Sequence, residues 1–215
     1  SSRYQENVLV LYGERRIGKT SVLYQLMTNP PTPHHICVFF DMETSAMARR
    51  EGEFLYSMAK EVYRTISPKG YQLDRPQWSD YDERPEEAFR DFVDDLERAL
   101  GEYRLIVMLD EFGVLMRKVS QEVFSPGIFD FIRAIIQHTN KLAFLFTGAY
   151  ELRRMQKDYH SILFNLAKVH KLSYLHPQEA EDLIITPMKG LLEYHPLAVD
   201  KILKVTACHP YFIQY

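Results

Sequence analysis

The sequence predicts an α/β protein: a parallel sheet with helices on both faces and a glycine-bordered turn after the first strand. Three observations carry this. Apolar runs of strand length at 8–12, 35–41, 104–111 and 141–147 alternate with segments of helical period. Between the first run and the first helix lies Gly13-Glu14-Arg15-Arg16-Ile17-Gly18-Lys19-Thr20, an unbroken G-x-x-x-x-G-K-[ST] pattern. The third run ends in the acidic pair Asp110-Glu111.

Residues 8–12 (VLVLY) form a short buried strand, and the helix after the loop repeats apolar residues at Val22, Leu23, Leu26 and Met27. Asn29 and the prolines Pro30, Pro31 and Pro33 end that helix, because proline cannot continue it and biases the residue before it out of the helical region. The second strand, 35–41, is apolar from Ile36 to Phe40. Residues 51–66 are an amphipathic helix with Phe54, Leu55, Met58, Ala59, Val62 and Ile66 on one face. A polar loop with the single tryptophan, Trp78, spans 67–84. Pro85 then opens a helix whose inward stripe is Phe89, Phe92, Val93, Leu96 and Leu100. Its acids, Glu86, Glu87, Asp91, Asp94, Asp95 and Glu97, read as a solvated face rather than a metal or partner site.

Gly101 closes that helix, and 104–111 is the third strand. Residues 126–138 turn Ile128, Phe129, Ile132, Ile135 and Ile136 inward; 141–147 is the fourth strand. Gly148 and a short helix carrying Arg153 and Arg154 follow, with a fifth strand at 167–174. Beyond it come helices at 177–185 and 196–206 and a last one cut after one turn from Pro210, with no further strand. The expected organisation is a core at 1–175 and the truncated beginning of a helical lid at 176–215. Both ends are abrupt, as expected of a piece of a longer protein.

In 215 residues, 26 basic side chains face 29 acidic ones, for a net charge of -3. That balance gives no electrostatic footprint for nucleic acid, so nucleic acid is not an expected partner of this segment. Cys37 and Cys208 are far apart, match no metal spacing and read as reduced thiols of a cytoplasmic protein. No apolar run approaches the roughly 18 residues that span a bilayer.

The chemistry lies in the loop and the acidic pair. Glycines let successive backbone N–H groups face a phosphate, and the helix that begins there adds the positive end of its dipole. Lys19 is expected to reach the β- and γ-phosphates, and the Thr20 hydroxyl to ligate Mg²⁺. Asp110, at the end of a buried strand, can hold the same ion, directly or through water. Glu111 is placed to polarise a water that attacks the γ-phosphate. Thr147 has two readings: it bonds that water or the γ-phosphate, or it caps the turn at Gly148. Arg15 and Arg16 touch phosphate or a neighbouring subunit, or are simply solvated; Arg153 and Arg154 are weaker candidates for a nucleotide across an interface. Asp110-Glu-Phe-Gly113 also fits the D-x-x-G of guanine-nucleotide switches. Their base-reading N-K-x-D fails at Asn140-Lys141-Leu142-Ala143, so an adenine nucleotide is preferred.

Five stretches together, Y-G-E-R-R-I-G-K-T-S-V-L, L-I-V-M-L-D-E-F, F-L-F-T-G-A-Y-E-L, L-F-N-L-A-K and T-A-C-H-P-Y-F-I-Q, resemble the STAND-type ATPases, an AAA+-related branch of P-loop proteins close to the archaeal ATPases. The resemblance implies a sheet in the order 5-1-4-3-2, a helical lid and a winged-helix domain beyond. It implies that Gly13 to Ser21 bind phosphates, that Thr20 and Asp110 serve Mg²⁺, that Glu111 is the base, and that Thr147 takes the first-sensor place. Pro210 corresponds to a proline that packs near the nucleotide. Assembly through the ATP-bound state, and effector or sensor domains outside this segment, follow from the resemblance only. The sequence departs from the pattern at Cys208, where that element has glycine, and lacks the G-R-x-E segment before the first strand.

The expected function is an ATP-binding, slowly hydrolysing switch module of a larger signalling protein. The alternatives are a DNA-associated AAA+ ATPase of the origin-binding or transposition-helper type, and a scaffold that holds ATP with little turnover.

Overall fold

The computed structural model describes residues 7–149 and 167–215. Five strands, β1 (Val8–Tyr12), β2 (His35–Asp41), β3 (Arg104–Asp110), β4 (Leu142–Gly148) and β5 (Lys168–Lys171), form one sheet in the order β2-β3-β4-β1-β5. Every pairing is parallel, so each connection crosses over and returns to the same edge of the sheet. The order implied by the family resemblance is the observed one.

Strand alternation sorts side chains onto two faces. Val8, Val10, Ile36, Val38, Phe40, Leu105, Val107, Phe144 and Phe146 point to the larger core. It is completed by helices α2 (Glu51–Ile66), α4 (Pro85–Ala99), α5 (Gly113–Ser120) and α6 (Gly127–His138). Leu9, Leu11, Ile106, Met108 and Leu145 face the other way, onto α1 (Lys19–Thr28). On α1 the apolar stripe is narrower than expected: Leu23 is fully buried, Val22 and Leu26 are half-buried, and Met27 is exposed. Each fully buried Leu or Phe contributes about 1.5–3 kcal/mol, which makes the larger core the main source of stability.

Two short helices depart from the expectation. The stretch read as a polar loop contains α3 (Trp78–Glu83), which buries Tyr81 and sets Trp78 and Tyr81 edge-on to Tyr56 of α2. Arg50 holds the same corner, 5.5 Å from the Trp78 ring and 2.7 Å from the Asp82 carboxylate. Helix α5 follows β3 directly and buries Val114, Leu115, Met116 and Val119. The last strand is shorter than expected, four residues at the sheet edge.

After β5, α7 (Pro177–Ile185), α8 (Pro196–Thr206) and α9 (Pro210–Gln214) pack on one another. Each begins with a His-Pro pair, which places proline in the first turn, where its missing N–H costs nothing. His195 Nδ1 accepts from the N–H of Leu197, and His209 Nδ1 from that of Tyr211, each at 3.2 Å. Ala207 and Cys208 between α8 and α9 both have left-handed backbones, with φ of 49° and 60°.

Candidate functional site

The sheet order sets β4 between β1 and β3, so the loop after β1 and the ends of β3 and β4 meet at one edge. Gly18 stands before α1 with φ of 99°, a conformation that glycine adopts without cost. Gly13 is required for space: a Cβ there would lie 2.7 Å from the Leu172 carbonyl oxygen. Ile17 is buried and anchors the loop, while Glu14, Arg15 and Arg16 are exposed. The opening N–H groups of α1 have no carbonyl a turn behind them and are open to an anion.

Lys19 is 5% exposed, and among the described residues its ammonium donates to the carbonyls of Glu14 at 2.9 Å and Gly13 at 3.4 Å. No carboxylate lies within ion-pair distance of it among the described residues. A buried ammonium held by neutral carbonyls is suited to an anion that enters from the cavity.

Thr20 Oγ1 donates to Asp110 Oδ2 at 2.7 Å. Asp110 Oδ1 accepts from Thr147 Oγ1 and, at 3.1 Å, from the Glu111 N–H. The same N–H also reaches Thr147 Oγ1 at 3.2 Å. Thr147, fully buried, thus gives its proton to Asp110, and its hydroxyl orients the acidic pair. Residues 150–166 beyond β4 lie outside the described set, so the expected short helix and Arg153 and Arg154 do too.

Glu111 has φ of 55°, a left-handed backbone that is uncommon outside glycine. Burial raises its carboxyl pKa above the ordinary value; Asp110 and Glu43 add to this, and Lys19 and Arg117 oppose it.

A cavity of about 640 Å³ runs from this edge to the last helices. Gly18, Lys19, Thr20, Ser21 and Glu111 line its polar end. Val22, Leu172, Leu175, Leu183 and Pro210 supply apolar wall, with Tyr211 and Gln214 beside them. That size falls within the range of small-molecule sites, and the split lining suits a ligand with a charged tail and an apolar head. Of the residues singled out in the sequence, Pro210 therefore joins the phosphate loop at one cavity. Tyr211, Leu172, Leu175, Leu183 and Gln214 were not anticipated. Tyr211 alone carried a signal, as the residue after His209-Pro210.

Thr20 Oγ1 and Asp110 Oδ2 are hard oxygen donors on one spot, the donor type that Mg²⁺ takes when it also keeps waters and phosphate oxygens. The residues present fit that ion.

The fold and this loop define the class: an AAA+ P-loop ATPase domain. The chain belongs to the AAA domain family designated AAA_22, whose profile matches residues 2–156. No curated protein matches the sequence. Among solved structures, the Aeropyrum pernix ORC1 protein in complex with DNA superposes with a TM-score of 0.55 at 15% identity, over 96% of this chain and 52% of that one. The ORC2 protein of the same organism, solved as ADPNP-ADP complexes, gives 0.55 at 16% identity, over 85% and 46%. Drosophila ORC bound to DNA gives 0.53 at 11%, over 97% and 49%. The chain spans about half the length of these structures, and the likeness at such identities is one of fold. Among the described residues, no helix is long and apolar enough to cross a membrane.

Proposed function

We propose that this domain binds ATP with Mg²⁺ in the cavity and hydrolyses it slowly, as the switch module of a larger protein. The observation that carries the reading is the convergence of the Thr20–Asp110 pair with a buried Lys19 that has no carboxylate within ion-pair distance among the described residues. Lys19 and the N–H groups at the head of α1 hold the β- and γ-phosphates. Thr20 and Asp110 hold the ion, which when bound neutralises phosphate charge and polarises the γ-phosphoryl group. Glu111 takes the proton of the attacking water, and Thr147 supports it by fixing Asp110 and the Glu111 backbone.

Adenine is preferred because Ala143 stands where a guanine-reading aspartate would be needed. To move a lid from 1:99 to 99:1 takes about 5.5 kcal/mol of differential binding. Two to four charge-assisted bonds to a γ-phosphate, at about 1.5–3 kcal/mol each, supply it. The test is titration with a fluorescent ATP analogue, with and without Mg²⁺, and phosphate release. Lys19→Ala should weaken binding at least tenfold. Glu111→Gln should retain binding and lose turnover; turnover unchanged by that substitution would remove Glu111 as the base.

Two outputs suit such a module. The resemblance in the five sequence stretches favours a STAND-type signalling switch that self-associates when ATP is bound. The fold likeness to structures solved with DNA favours an origin-binding type of AAA+ ATPase equally, despite the net charge of -3. Duplex DNA binding measured at 50 and 200 mM salt separates them, since phosphate contacts make affinity fall steeply over that range.

A further inference from the structure

The phosphate loop reaches out of its own turn through two neighbouring side chains of opposite charge. Glu14 Oε2 accepts from the Tyr174 hydroxyl at 3.3 Å, in the segment after β5. The guanidinium carbon of Arg16 lies 4.3 Å from the centre of the Tyr211 ring, on α9. Arg16 has no carboxylate within ion-pair distance among the described residues, and its backbone is left-handed at φ of 64°. Arg16 and Tyr211 both line the cavity, one on the wall made by the loop and α1, the other on the wall made by α9. Their contact therefore spans from wall to wall.

We propose that Arg16 and Tyr211 form a clasp across the cavity that sets how fast nucleotide leaves it, with Tyr211 as a positioning residue that acts through Arg16. The inference rests on the nucleotide reading of the cavity. A bound nucleotide lies between the two walls, and its departure requires them to part. The clasp resists parting by the attraction of a cation for an aromatic face, which at an exposed site is worth roughly a 2- to 5-fold change in an equilibrium constant. Because a mutation that breaks a contact of the closed state acts mainly on dissociation, the effect belongs in the off-rate.

The experiment is displacement of fluorescent ADP from the whole chain, followed by stopped flow. Arg16→Ala and Tyr211→Leu should each speed departure about 2- to 5-fold with little change in the association rate. The double variant should be no faster than the faster single one, because the two remove one contact. Tyr211→Phe keeps an aromatic face and Arg16→Lys keeps a cation, so both should stay near the parent rate. An unchanged off-rate in Tyr211→Leu, or effects that multiply in the double variant, would overturn the clasp and leave Arg16 acting on phosphate alone. A second measurement needs no nucleotide: in Arg16→Ala, amide exchange across 211–215 should accelerate, and unaltered exchange there counts against the clasp. If the parent chain fails to bind the probe, the nucleotide reading and the clasp fall together. If it binds and only the variants disappoint, the clasp falls alone.

Discussion

Thr20 and Asp110, ninety residues apart, share a hydrogen bond of 2.7 Å that joins the head of α1 to the end of β3. Asp110 is nearly fully buried, and its two oxygens collect three donors: the Thr20 hydroxyl, the Thr147 hydroxyl and the Glu111 N–H. The carboxylate thus ties three separate segments together before any ligand arrives.

Asp110→Ala takes the acceptor from the Thr20 and Thr147 hydroxyls, while the Glu111 N–H keeps Thr147 Oγ1, and should cost about 1–3 kcal/mol in denaturant unfolding of the nucleotide-free protein. Asp110→Asn keeps one carbonyl oxygen for Thr147 and Glu111 and should lie within about 1 kcal/mol of the parent. Both should lose the increase in ATP affinity that Mg²⁺ brings. An Asn variant as unstable as the Ala variant would show that the charge, not the acceptor geometry, holds the segments.

Gly13→Ala should destabilise by about 1–3 kcal/mol, the usual range for overpacking. The added methyl would meet the Leu172 carbonyl at 2.7 Å and Ile17 Cγ2 at 2.9 Å, and backbone cannot swing away as a side-chain tip can. Thermal unfolding checks this, and an unchanged midpoint would mean that β5 shifts off β1 freely.

Cys208→Gly should stabilise. A left-handed backbone costs a side-chain-bearing residue about 1–2 kcal/mol, and Cys208 has φ of 60°. The looser unfolded chain of glycine takes back part of that gain, so a net increase of about 0.5–1 kcal/mol is expected in thermal or denaturant unfolding. The glycine of the resembling element is accounted for by the same geometry.

Tyr81 is buried with a hydroxyl that finds no partner among the described residues. Burial first, then Asp80, Tyr56 and Asp91, raise its phenol pKa far above the ordinary value. Since the folded value exceeds the unfolded one, the stability linked to this proton is whole below about pH 10 and is lost as pH climbs above it. Tyr81→Phe should therefore flatten the alkaline decline in stability. At pH 7 it should be neutral or stabilising by up to about 1 kcal/mol, because it removes an unpaired polar group.

The first four strands were legible because they are short, near-continuous apolar runs, as a parallel sheet covered on both faces requires, and because both partners of the Thr20–Asp110 pair carry local patterns around them. Helices α3 and α5 were not legible. Six and eight residues span too few turns for a period to register, and α3 is defined by aromatic contacts of Trp78 and Tyr81 with Tyr56, 22 to 25 residues away in sequence. The apolar wall of the cavity escaped for a related reason. Leu172, Leu183 and Tyr211 come to line one cavity with the head of α1 only through the course of the chain after β5, which no local pattern reveals. Strand β5 offers the reverse case: all four residues are exposed, so its existence rests on pairing with β1 rather than on apolar alternation.

The N–H of Leu175 donates to the Cys208 carbonyl at 3.1 Å, so the segment between them leaves the core and comes back to the place it left. Leu172, three residues upstream, presses on Gly13, and Tyr211, three residues downstream, covers Arg16. The phosphate loop is thus gripped at two points by a single returning strap with a pinned base. A tug on either side of that base reaches the turn at 13–18 without passing through the sheet.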